Sequence, residues 1–151
     1  MTTSVSVSAV RALPASPASP ALQAALAAED AAIFGYGVVG AHLSGNRKAA
    51  AEQDWTGHNE ARDTLTAMIS ALGATPTAAQ AFSQLPFEVN DAASAAKLAA
   101  YLEEGVTRAY LGLVAVSDRR LRTFGALGMQ GPAERAAFLR CTTEAFPGLG
   151  P

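Results

Sequence analysis

Apolar positions fall into four runs with helical spacing, separated by glycine, proline and asparagine. The first, Ala21–Ser44 (ALQAALAAEDAAIFGYGVVGAHLS), is apolar almost all round, which predicts a helix buried over most of its circumference. Ser19-Pro20 suits its start, as cap and first-turn proline, and Gly45-Asn46 suits its stop and the next cap. The second run, Arg47–Leu72, carries a stripe of Trp55, Leu65, Ile69 and Leu72; stepping back by three and four puts His58 and Arg62 on that face. The third, Ala92–Val116, follows a cap at Asn90 or Asp91 and presents Leu98, Leu102, Val106, Tyr110 and Leu113. The fourth starts near Asp118 with Leu121, Phe124, Leu127 and Phe138, and Gly131-Pro132 must kink or split it. Between the second and third runs, Ala74–Asn90 is long for a structureless loop. It fits the crossing connection that joins two helical hairpins in a bundle. The expected fold is therefore all-α, a four-helix bundle of two hairpins.

Acidic side chains interrupt the first run at Glu29 and Asp30, and burying carboxylates is costly unless they find partners. A shift of 74 residues lays Glu29-Asp30 on Glu103-Glu104 and Tyr36 on Tyr110. In each copy the tyrosine follows the first acid by two helical turns, so the pair shares a face, as in a duplicated helical hairpin.

Composition narrows the functional classes. Half of the 151 residues are hydrophobic, and the net charge of −2 comes without a basic block, which leaves nucleic acid no electrostatic footprint. The first run is long enough for a membrane span, but Glu29 and Asp30 would each cost about 2.5 kcal/mol or more in lipid, so a buried helix of a cytoplasmic protein is expected instead. Residues 1–19 read as a flexible Pro/Ala/Ser tail ahead of one domain over 20–151. The lone cysteine, Cys141, excludes an internal disulfide and fits a reducing compartment. The closing Phe146-Pro147-Gly148-Leu149 is expected to pin the tail to the bundle by its apolar side chains.

A two-hairpin bundle can gather Glu29, Tyr36, His58, Arg62, Glu103 and Tyr110 into one central layer. One outcome is a buried ion-pair network in which the planar fork of Arg62 bridges Glu29 and Glu103 and the tyrosines bond to the carboxylates. Another is a small cofactor-independent enzyme in an inter-helix pocket, with Glu29 or Asp30 as acid/base and His58 and Arg62 as helpers. Trp55 is expected to contribute packing. A di-metal carboxylate site would need Glu-x-x-His on two helices; the nearest stretches, Glu60-Ala61-Arg62-Asp63 and Glu134-Arg135-Ala136-Ala137, lack the histidine and carry arginines that repel a cation. No metal and no cofactor is expected.

ALAAEDAAIFGYGVVGAHL, together with His58, Arg62-Asp63, Leu85-Pro86-Phe87, Leu102-Glu103, Tyr110 and the closing Phe-Pro-Gly-Leu, resembles a bacterial ferritin-like domain family of unknown function. The resemblance implies a ferritin-like four-helix bundle, often self-associated, and no established activity. It also places a histidine where this chain has Asp30. The resulting expectation is a binding or structural module, a homodimer with a possible small-molecule ligand. A small enzyme is the first alternative and a degenerate metal-dependent oxidase the second.

Overall fold

Five helices make up the computed structural model, which describes residues 18–80 and 84–143, with side chains as far as 140. Most of the Pro/Ala/Ser tail, the Cys141 side chain and Phe146–Leu149 lie outside the described residues. Helix α1 is Ala18–Ala41, α2 Gly45–Ala71, α3 Ala92–Val114, α4 Arg119–Gly128 and α5 Gln130–Thr143. Helix α1 packs on α2 and α3, and α3 packs in turn on α4 and α5, so α1 and α3 form the middle of the bundle. The first hairpin is α1–α2; the second is α3 followed by the split limb α4–α5.

The first helix starts at Ala18, earlier than Ala21, with Ser19 and Pro20 inside its first turn. Its buried positions Leu22, Ala25, Leu26, Glu29, Ala32, Tyr36 and Val39 step by three and four, so one stripe is covered rather than the whole circumference. Outward positions are largely alanine and glycine, which lose little by facing water, and this is why the segment reads as continuously apolar. By length and composition α1 could cross a membrane; in this bundle it is the helix laid against both α2 and α3.

Ser44 stands at the N-cap of α2 in extended backbone without a side-chain cap bond, and Gly45, with φ of +56°, opens the helix, so Asn46 is not the cap. At the other end Gly73 takes φ of +73° and donates its amide to Ser70 O, closing α2 with the left-handed residue a C-terminus favours. Asp91 caps α3 through a reciprocal pair with Ser94: its carboxylate accepts the Ser94 amide at 2.7 Å, and Ser94 Oγ accepts the Asp91 amide. Helix α4 ends at Gly128, four residues before Pro132, where the ring would crowd the carbonyl and no amide is available to bond it.

The long connection crosses the bundle end without a helix of its own among its described residues. Gln23 clips it to α1, its Nε2 donating to Thr75 O at 2.8 Å and its Oε1 accepting the Thr77 amide at 2.9 Å. Leu85, Phe87 and Val89 pack against the core. Two close approaches tighten the second hairpin and its contact with α1. A Cβ added at Gly35 would lie 2.4 Å from Leu102 Cδ1, and one at Gly125 would lie 2.9 Å from Tyr110 O.

Candidate functional site

Glu29 on α1 and Glu103 on α3 are buried face to face, and His58 of α2 stands between them. Its Nδ1 lies 2.6 Å from Glu29 Oε2, and its Nε2 lies 3.3 Å from Glu103 Oε1. Two acceptors on two ring nitrogens require both nitrogens to carry protons, so the ring is held as an imidazolium. Burial alone would push His58 down; hydrogen bonds to Glu103 and Glu29, and their charges, outweigh it and the group is pushed up to about 9.

The tyrosines cross over. Tyr36 of the first hairpin donates to Glu103 Oε1 at 2.5 Å, while Tyr110 of the second bonds to Glu29. Each repeat thus completes the acid of the other. Burial, then the charge of the partner carboxylate, pushes both phenols well above the ordinary range. The Tyr36 ring also rests 5.1 Å from the His58 ring.

Arg135 of α5 closes the layer. Its Nε donates to Glu103 Oε1 at 2.7 Å and its Nη2 to Oε2 at 3.1 Å, a two-pronged grip on a fully buried carboxylate. Burial raises Glu103, but hydrogen bonds from His58, Arg135 and Tyr36 outweigh that and hold it below its ordinary value. Half-buried Asp54 lies 3.6 Å from Arg135 Nε; burial raises its carboxyl, with Arg135 offsetting part of the rise. Among the described residues no buried side-chain nitrogen or oxygen lacks a hydrogen-bond partner.

The structure thus brings Glu29, Tyr36, His58, Glu103 and Tyr110 together and keeps three other candidates apart. Arg62 does not bridge the glutamates. It forks onto its neighbour Asp63 with contacts of 3.0 and 2.8 Å, at the rim of the bundle. The arginine of the core is Arg135, from a different helix. Trp55 is 43% exposed and lines a shallow surface groove with Lys48 and Gly40, so it does not join the core network. Asp30 lines a small cleft of about 140 Å³ with Thr77, Ala78 and Gln80; burial raises its carboxyl, and Arg62 partly offsets this. Of five cavities along the bundle, one is lined by Asp30 and none by Glu29, His58 or Arg62.

Two residues of the polar layer, Asp54 and Arg135, were not evident from the sequence. Stepping back from His58 by four rather than three reaches Asp54, then Ala51, and this is the inward line on α2. On α5 the buried positions Pro132 and Ala136 bracket Arg135, a pattern too short to stand out next to a proline.

A cavity of about 520 Å³ opens beside the polar layer, between the end of α1, the starts of α2 and α3, and α5. Its walls are alanines of α2 and α3 with Val39 and Leu43; Tyr36 and Asp54 line it on the side of the polar layer, and Arg47 is its exposed cation. Phe138 lies on the rim.

Residues 21–151 match a domain of unknown function, DUF4439. The chain belongs to that family. A conserved hypothetical protein from Mycobacterium tuberculosis has a similar structure, with a TM-score of 0.78 at 32% identity over 83% of this DUF4439 chain and 96% of its own. A ferritin-like, diiron-carboxylate protein from Bacillus anthracis superposes with a TM-score of 0.71 at 18% identity over 84% of this chain and 95% of its own, which shows the fold: this DUF4439 domain is a ferritin-like bundle. Among curated proteins none matches the sequence.

The ferritin-like fold raises the question of a di-iron centre, and the residues do not fit one. Glu103 is gripped by a guanidinium at 2.7 Å, and both ring nitrogens of His58 are turned to carboxylates. Among the described residues no group of three or more His, Cys, Asp and Glu is arranged to hold a metal. Imidazolium and guanidinium neutralise the glutamates that a metal pair would otherwise draw on.

Proposed function

We propose that the protein is a metal-independent, ferritin-like binding module, in which the buried polar layer holds the bundle and a small molecule binds next to it. The observation that carries this reading is the division between layer and cavity. Glu29 and His58 are sealed among protein partners, whereas the 520 Å³ cavity touches the layer only at Tyr36 and Asp54. A cavity of this size with apolar walls and a few polar groups is the ordinary form of a small-molecule site. A reaction centre on Glu29 and His58 would need an opening to them that this cavity does not provide. The same reading has the chain in the cytoplasm as a homodimer, supported by the single cysteine and by exposed apolar side chains at Tyr101, Leu111 and Leu127.

Elemental analysis tests the proposal. Full-length protein, expressed in medium rich in iron and manganese and purified without chelator, is expected to carry well under one equivalent of any transition metal. A stoichiometric metal that survives dialysis overturns it.

A further inference from the structure

The charges of the polar layer do not balance. With His58 protonated, three carboxylates (Glu29, Glu103 and Asp54) face two cations, His58 and Arg135. Arg135 is engaged mainly with Glu103, at 2.7 Å against 3.6 Å to Asp54. The negative charge left over therefore lies on Asp54, the carboxylate residue of the layer that lines the cavity and, on its other side, a polar cleft shared with Glu60 and Arg135.

We propose that the cavity binds a protonated amine on an apolar body, the ammonium set on Asp54 and the body laid along the alanine walls of Ala92, Ala93, Ala96 and Ala99. This rests on the binding-module reading and names its ligand class. An ammonium on Asp54 supplies the missing third cation without disturbing the grip of Arg135 on Glu103. Small side chains on the walls leave room for a hydrocarbon or ring where larger residues would fill it. Burial disfavours the Asp54 anion, Arg135 offsets only part of that, and an incoming cation relieves the rest. The opposing charge of the lining, Arg47, is two helical turns from Asp54, about 10 Å along the axis. Arg47 is exposed to solvent, whereas Asp54 is half-buried beside the polar layer.

Three probes of equal length and different head decide the matter: octylamine, 1-octanol and octanoate, titrated calorimetrically into the full chain at pH 7. Octylamine is expected to bind at least about tenfold more tightly than octanol, with octanoate weakest. Asp54→Asn should remove that tenfold preference while changing octanol affinity less than about twofold, and Ala96→Trp should abolish binding of both by filling the cavity. Circular dichroism and urea midpoints establish that each variant is folded. The comparison of heads on the unaltered protein stands even if a variant is not. Equal affinity for amine and alcohol overturns the amine assignment and leaves the binding module in place. Tighter octanoate binding overturns it in favour of Arg47 reading an anion. Octylamine binding retained in Ala96→Trp overturns the cavity as the site. Failure of all three probes to bind also overturns the proposal, whereas a stoichiometric metal would remove the underlying reading instead.

Discussion

His58 makes folding stability depend on pH in a direction set by its partners. Its folded value of about 9 lies above the free value of 6.5, so its contribution is fully present below pH 6.5 and is lost as pH rises through 9. The unfolding free energy in urea is expected to fall by about 3 kcal/mol between pH 6.5 and 9.5. His58→Gln should flatten that fall; an unchanged slope in the variant would contradict the assignment. Glu103 acts on the acid side: it is held below its ordinary value of 4.5, so its contribution is lost as pH drops beneath that. The two arginines separate the remaining roles. Arg135→Met strands a buried carboxylate and is expected to cost about 3 kcal/mol, whereas Arg62→Met removes a rim pair worth about 0–1 kcal/mol. Urea midpoints measured side by side check the order. At this scale the sequence showed which groups had to be neutralised but not which cation does it. Glu29, His58 and Glu103 stand on long periodic helices whose inward line can be followed. Arg135 belongs to a short helix opened by a proline, and a one-residue difference in stepping along α2 hides Asp54 behind Trp55.

Glycines govern how closely the elements meet, and they differ in kind. At Gly125 a methyl group would lie 2.7 Å from Leu113 Cβ and 2.9 Å from the Tyr110 carbonyl, so α4 can approach α3 only without a side chain there. Gly125→Ala is expected to destabilise by about 1–3 kcal/mol. Gly112→Ala on α3 meets open space and should stabilise by about 0.5–1 kcal/mol through helix propensity. Thermal melts of both variants against the parent protein check the opposite signs. Helix existence was readable from spacing, as was the break imposed by Pro132. Ends were less so. Ser19-Pro20 lies within the first turn of α1 instead of ahead of it, and Ser44 rather than Asn46 stands at the head of α2, because an N-cap depends on the dihedral angles of one residue and several neighbours offer the same chemistry.

In the whole molecule the 74-residue repeat becomes an exchange: each hairpin supplies the tyrosine for the other hairpin's glutamate. A periodic pattern reveals such a duplication but carries nothing about which copy bonds to which, since the crossing exists only once the hairpins are packed. Sedimentation equilibrium is expected to return twice the chain mass of 15.4 kDa, and a single-chain mass would remove the homodimer from the proposed function. The exchange is symmetric, but its neutralisation is not: the first hairpin contributes His58 and the second Arg135, which follows Glu103 by 32 residues. On a ribosome, then, both glutamates, both tyrosines and the histidine are made before the guanidinium that satisfies Glu103. A nascent chain that closed α1, α2 and α3 early would bury an uncompensated carboxylate, so the order of synthesis itself favours holding the bundle open until its last cation has emerged.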